Sequence, residues 1–329
     1  MGVDVHGSGD DGRAASGLAR ANDMNNSVLC VDIGGTTAKI GMLAPSGDLK
    51  LCGSLPTRGP DPEVFAHRLC DEIGKTERAA RREGVVLAGI GVAIAGFLDD
   101  ERGRMIYNSN LPWLEGYPLR DRIAGEFDLP VQLEVDSNAA AIAEQHYGSG
   151  RDSARFLCVT VGTGLGVGMI IHGEPLRFAY GCLGDIGHLV LQPNGPVCTC
   201  GGRGCAEMYV SAPVLADKYR LAKRLASEAT LRDVIVAARE GDTVAIAVLK
   251  EAGEWLGLAI ASMANTFYPD RIAIAGGLAE SGDLVMDAVG RAFRESVSDF
   301  ARTKAVLGRA TLGSMATLTG AAYSILRRR

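Results

Sequence analysis

The sequence has no excess of positive charge: 34 Lys and Arg stand against 39 Asp and Glu, for a net charge of −5. A broad electrostatic surface for nucleic acid or anionic lipid is therefore excluded. Long uninterrupted apolar segments are also missing. A stretch such as Val85–Leu98 is too short and too broken by glycine to span ~30 Å of hydrocarbon. No apolar segment follows the first Met, so no secretory signal is read and the cytoplasm is the expected compartment. There, eight cysteines read as reduced thiols or metal ligands rather than disulfides. Aromatics are scarce at 5%, yet 47% hydrophobic and 22% charged residues describe a globular chain with ample core. At ~150 residues per domain, 329 residues predict about two domains.

What the sequence has in quantity is glycine, 43 residues placed at particular turns rather than in repeats. Residues 1–27 carry five Gly and four Asp with few large apolar side chains, which predicts a disordered tail. Val28-Leu29-Cys30-Val31 then reads as a buried strand, Gly34-Gly35-Thr36-Thr37 as a turn and Ala38–Leu43 as a returning strand. The unit recurs at an offset of 157 − 29 = 128 residues: Leu157-Cys158-Val159, a turn from Gly162 to Gly166, then Val167–Ile171. Two related lobes facing one another are predicted. Elsewhere helix and strand alternate, as in an α/β protein. Asp61-Pro62 starts a helix running to about Glu83, and Val85–Ala95 is an apolar strand. Gln132–Val135 is another strand, followed by a helix from Ser137 to about Tyr147. Asp242 caps a long helix that must stop before Pro269. Arg271–Ala275 is a further strand, with Gly276-Gly277 opening a helix.

Three glycine turns carry possible chemistry. In Asp32-Ile33-Gly34-Gly35-Thr36-Thr37 the amides and hydroxyls can cradle a phosphate, and the Asp32 carboxylate can hold Mg²⁺ through water; an ordinary tight hairpin is the bland alternative. Gly162-Thr163-Gly164-Leu165-Gly166 leads into a strand rather than a helix, which argues against a dinucleotide fingerprint and for a second phosphate clamp. Gly276-Gly277 would let a helix N-terminus approach an adenosine, or is a common strand-to-helix turn. Asp136 reads equally as a helix cap and as a general base for phosphoryl transfer. Cys198-x-Cys200-x4-Cys205, with His188 ten positions upstream, satisfies tetrahedral Zn²⁺ as a closed, structural set. The remaining cysteines, Cys30, Cys52, Cys70, Cys158 and Cys182, read as inert core thiols.

The segments DIGGTT, GVAIAGFLD, NSNLPW, EVDSNAAA, GTGLGVG, GDIGH, CTCGGRGCAE and AIAGGL, in this order over about residues 28–325, resemble the ROK family of sugar kinases and sugar-responsive repressors. The cysteine segment beside GDIGH is the most specific of them. The resemblance implies an actin-like (ribonuclease H-like) two-lobed fold, with ATP, Mg²⁺ and a sugar meeting between lobes, structural Zn²⁺, and a homodimer. Residues 28–139 would form the N-terminal lobe, completed by the C-terminal helix at about 312–329. Residues 140–311 would form the C-terminal lobe with its zinc loop. By position, Asp136 looks like the catalytic base, and Asn110, Asp136, Asp185, His188 and Glu207 like the sugar ligands. Asp32 looks like the metal-associated carboxylate, and His188, Cys198, Cys200 and Cys205 like the zinc set.

Three positions depart from the family pattern: Asp185 replaces the usual Glu, Val135 a polar residue that is often Asn, and Ala95 a frequent Pro. They leave the sugar open among glucose, mannose, fructose and N-acetylated hexosamines, with polyphosphate as an alternative donor. A repressor of the family carries a helix-turn-helix domain, which needs at least ~50 residues; with 27 residues ahead of the first strand, a glucokinase-like kinase is the expectation. An actin-like filament or chaperone ATPase would not account for the cysteine loop.

Overall fold

The computed structural model describes residues 26–327 apart from 58, 60, 100, 102 and 109; the predicted tail, save its last two residues, and Arg328 and Arg329 lie outside the described residues. The chain enters through an antiparallel meander, β1 (Ser27–Ile33), β2 (Thr37–Leu43) and β3 (Leu49–Pro56). Helix α1 (Pro62–Arg82) follows. As the sequence predicts, Asp61 caps it, its Oδ1 accepting the Glu63 and Val64 amides at 2.8 and 3.2 Å just ahead of Pro62. β4 (Leu87–Ile94) returns parallel to β1. A small hairpin, β5 (Phe97–Asp99) and β6 (Arg104–Tyr107), and helix α2 (Leu119–Ala124) precede β7 (Val131–Val135), which closes a sheet of order β3-β2-β1-β4-β7.

After α3 (Asp136–Tyr147) the plan repeats with β8 (Arg155–Val161), β9 (Leu165–Ile171) and β10 (Glu174–Pro175). Helices α4 (Glu207–Val210), α5 (Ala212–Lys223), α6 (Leu231–Arg239) and α7 (Thr243–Phe267) lead to β11 (Arg271–Ala275). Then come α8 (Asp283–Ser296), α9 (Asp299–Lys304), β12 (Val306–Arg309) and α10 (Ala316–Arg327). The second sheet, β10-β9-β8-β11-β12, has the same order and strand directions as the first. Among the described residues no helix is long and apolar enough to cross a membrane.

The 128-residue offset is a packing repeat as well. Leu29, Val31 and Ile33 point into the core under α1, and Leu157, Val159 and Val161 into the core under α7 and α8. Val28 and Cys30, and likewise Phe156 and Cys158, face the opposite sides. Both faces of each central strand are covered, which is why the strands read as unbroken apolar runs.

Between the sheets lie two helices: α10 packs on β1 and β4, α3 packs on β8 and β9, and the two pack on each other. Glycine makes each contact possible. A methyl group on Gly91 would sit 1.9 Å from the Ala321 carbonyl oxygen, on Gly320 1.7 Å from that of Ala139, and on Gly168 2.4 Å from that of Ser137. Helix α3 runs unbroken through residues 139 and 140.

Two expectations need correction. Gly276-Gly277 does not open a helix: a single 3-10 turn at Ala279–Ser281 follows, and α8 starts only after Gly282, whose φ of 92° breaks the chain direction. Nor are all lone cysteines core residues, because Cys52 is exposed on the edge strand β3; Cys30, Cys70, Cys158 and Cys182 are buried, and Cys182 also borders the cavity described next.

Candidate active site

A cavity of about 360 Å³ opens between the lobes. From the first lobe it is lined by Asp32 and Lys39, which face each other across the β1–β2 register, and by Asn110, Val135 and Asp136. From the second come Gly162, Thr163 and Gly164, then Asp185, His188, Glu207 and Gly276. All five sugar-ligand candidates thus share one cavity with the second glycine turn. The turn residues Gly34, Gly35, Thr36 and Thr37 are not on its wall, and neither is Gly277. Of the first hairpin, it is the strand residues flanking the turn that reach the cavity. Gly35 lies behind Asn110, where a methyl would come 3.2 Å from the Asn110 Cβ.

Asp136 is the first residue of α3, and Val135 holds the cap position. Its Oδ1 accepts the adjacent Ser137 amide at 2.7 Å, whereas a capping carboxylate would reach amides two and three residues on. The capping reading fails, and the other carboxylate oxygen has no hydrogen bond among the described residues. Burial raises the Asp136 carboxyl above its usual range, with the Ser137 amide opposing. Asp32 is pushed up to about 6 by burial first and the Asp136 charge second, against the pull of Lys39. Two carboxylates with raised pKa in a cleft beside one ammonium suit proton acceptance and cation binding near neutral pH.

The cysteine loop is a small hairpin bridged at Val197–Arg203 and returned to Val190 at Cys205. His188, Cys198, Cys200 and Cys205 bring four ligand atoms within 4.8 Å of one another. Zinc–sulfur bonds of ~2.3 Å give a tetrahedron with edges of about 3.8 Å. Cys200 and Cys205 sulfurs are 3.7 Å apart, and His188 Nδ1 is 3.4 Å from the Cys198 sulfur. The donor set fits Zn²⁺. Around it the Gly202 amide holds the Cys200 thiol below its usual range, while burial pushes Cys205 up to about 12. Two residues past Cys205, Glu207 accepts the Leu165 amide at 2.9 Å, which ties the cysteine loop to the second glycine hairpin. Glycine at 164 leaves room for this contact, since a methyl would stand 2.5 Å from the Glu207 carboxylate and push it aside.

Two residues of the site escape the sequence reading. Asn108 is buried; its Oδ1 accepts the Asn110 and Leu111 amides at 2.8 and 3.1 Å, and its Nδ2 donates to the Ala95 carbonyl at 2.7 Å. It fixes the loop that presents Asn110, and Asn three residues before a Leu-Pro turn is the signal that could have marked it. Lys39 is the single Lys or Arg among the described residues lining the cavity. A lysine at an alternating strand position reads as a solvated face, and only the strand register shows it opposite Asp32.

A sequence model of the ROK family matches residues 28–328. A glucokinase of Streptomyces coelicolor is 32% identical, over 89% of this chain and 95% of its own. A xylose repressor of Caldicellulosiruptor bescii is 30% identical over 70% of this chain and 60% of its own. Among solved structures, the ROK family glucokinase from Streptomyces griseus in complex with glucose and AMPPNP superimposes with a TM-score of 0.80 at 30% identity, covering 91% of this chain and 99% of that one. The doubled sheets are those of the actin-like two-lobed fold that such kinases share.

Proposed function

The chain belongs to the ROK family, and from that premise we propose that it is an ATP-dependent sugar kinase transferring the γ-phosphoryl group to a hexose hydroxyl, the 6-hydroxyl in a glucokinase-like reaction. One observation carries this reading: Asp136, the second glycine turn and the Asp185–His188–Glu207 group converge on a single interlobe cavity. A sugar presents a ring of donors and acceptors. Asn110, Asp185, His188 and Glu207 would hold its hydroxyls, and Asp136 would accept the proton of the attacking one. As that oxygen bonds to the γ-phosphorus, the bond to the bridging oxygen breaks and ADP leaves. The amides of Gly162, Thr163 and Gly164 and the ammonium of Lys39 would face the phosphates, beside Gly276. The Gly34–Thr37 turn would support this wall from behind. Because the transition state is loose, positioning and charge neutralisation supply most of the acceleration.

Asp32 is the carboxylate on this wall suited to holding Mg²⁺ through water, a cation that takes few carboxylates plus phosphate oxygens and would neutralise their charge. Zn²⁺ on His188, Cys198, Cys200 and Cys205 would be structural, fixing the ring of His188 and the path to Glu207. Both partners are small molecules, and a homodimer in the cytoplasm is the expected setting.

A coupled kinase assay over glucose, mannose, fructose and N-acetylated hexosamines, with ATP and polyphosphate as donors, tests the reading. Turnover with at least one hexose is the expected result. The repressor similarity supports a second reading, a sugar-binding regulator without kinase activity. Sugar binding with no phosphorylation on any acceptor, joined to specific retention of promoter DNA in a gel shift, would replace the first reading with the second.

A further inference from the structure

The segment that follows β10 belongs to the second lobe by sequence but is fastened to the first. Arg177 pairs with the Glu134 carboxylate on β7. The Asn138 side-chain amide, on α3, donates to the Gly181 carbonyl at 2.8 Å and to Glu134 at 3.0 Å. The Leu98 amide, on β5, donates to the Tyr180 carbonyl at 2.9 Å. Tyr180 is held at φ 61°, a left-handed conformation that a tyrosine keeps only where its surroundings impose it. Beyond these ties the segment delivers Cys182, Asp185 and His188 to the cavity. Glu134 and Asn138 flank Asp136 by two residues on either side. Glu134 is buried, and Arg177 is its one cationic partner among the described residues.

We infer that Arg177 is a positioning residue for the sugar half of the site: by neutralising Glu134 it locks the 176–185 segment onto the β7–α3 junction, so that acceptor ligands and base form one rigid unit across the lobe boundary. This rests on the sugar-kinase reading. The pair would then keep Asp136 at a fixed distance from Asp185 and His188, on the side of the cavity where Glu207 is held by the Leu165 amide. A buried carboxylate stripped of its cation is far worse than a neutral pair, so removing both charges should be milder than removing one.

The test compares Arg177→Met, Glu134→Gln and the double variant in the full chain. Arg177→Met should raise KM for the accepted hexose on the order of tenfold and leave KM for ATP within about twofold, and the double variant should recover most of the loss. Hydrogen exchange at the Leu98 and Val135 amides should accelerate in Arg177→Met and return toward the wild-type rate in the double variant. An unchanged hexose KM, or equal losses in both KM values with no recovery in the double variant, would overturn the inference. Exchange is read without catalysis. If the wild-type chain phosphorylates no sugar, the kinase reading fails, whereas unchanged Leu98 exchange in Arg177→Met sinks the inference itself.

Discussion

The Nε2 of His188 stands 3.5 Å from the Asp185 carboxylate, while its Nδ1 is turned to the Cys198 sulfur. One imidazole therefore faces the thiol cluster with one nitrogen and the cavity with the other. A metal on the Nδ1 side would fix the ring's tautomer and aim Nε2 as a hydrogen-bond donor. Stripping zinc, or replacing Cys198 by Ser, should raise the hexose KM by roughly ten- to a hundredfold with a smaller change in the KM for ATP. Metal analysis of the intact protein should find close to one zinc per chain. Under about half an equivalent in carefully purified protein would remove the four-ligand set.

Asp136→Asn keeps size and the Ser137 contact but removes the proton acceptor. Hexose binding, measured by calorimetry, should persist within a few-fold, while kcat falls by about two to four orders of magnitude, the usual worth of a general base. Near-normal turnover would take Asp136 out of its role.

Asp32 sets an expectation for pH. Its carboxyl is raised to about 6 in the folded chain by burial and the Asp136 charge, against 3.9 in an unfolded one. The charged form is thus disfavoured by folding. The cost is fully present above about pH 6 and fades as pH falls toward 4; its size is up to roughly 3 kcal/mol. In Mg²⁺-free buffer, Asp32→Asn should melt several degrees above wild type at pH 8, and the gap should close at pH 4.5. With Mg²⁺ and nucleotide the order reverses, because the variant has lost its metal carboxylate. A variant that melts below wild type at pH 8 without Mg²⁺ would contradict this account.

The fold was largely legible because its signals are local. The apolar runs at Val28–Val31 and Leu157–Val159, the Asp61 and Asp242 caps and the glycine turns each act within a few residues, and the 128-residue repeat ties them into two lobes. What stayed hidden depends on contacts between distant segments. Lys39 becomes a cavity residue only through its register with Asp32, and Arg177 only through a β7 carboxylate 43 positions away. Gly276-Gly277 misled for the same reason. Gly276 is glycine because a methyl would stand 2.3 Å from the Val161 carbonyl, at the foot of the second hairpin, and not because a helix begins there.

Glu144 is a carboxylate with no exposure at all, yet it is fully satisfied. It accepts the Thr311 and Leu312 amides at 2.9 and 2.7 Å, the Ser149 amide and hydroxyl at 2.7 Å each, and the Thr311 hydroxyl at 3.2 Å. These bonds pin the end of α3 to the turn entering α10, whose Gly313 and Ser314 line the cavity. Glu144→Gln would aim an NH₂ at a backbone N–H in either orientation, the Thr311 and Leu312 amides on one side or the Ser149 amide on the other. A loss of about 2 kcal/mol or more in denaturant unfolding is expected, and a loss under about 0.5 kcal/mol would show that the turn does not depend on this carboxylate.

Lys39 supplies the last expectation. Four carboxylates, Asp32, Asp136, Asp185 and Glu207, line the cavity. ATP would add further negative charge, and Lys39 is the one fixed cation on the wall among the described residues. If it neutralises the transferring phosphoryl group, its worth should appear in the transition state more than in the ground state. Lys39→Met should then lower kcat by about a hundredfold with KM for the hexose nearly unchanged, and Lys39→Arg, which keeps the charge on a longer fork, should restore part of it. The alternative is that Lys39 merely offsets the Asp32 charge in the resting protein. In that case Lys39→Met would weaken Mg²⁺-free stability at pH 8 but leave kcat within about threefold once Mg²⁺ and nucleotide are saturating. The two outcomes separate cleanly, because a cation that serves only Asp32 becomes redundant when the metal arrives, and one that serves the phosphoryl group does not.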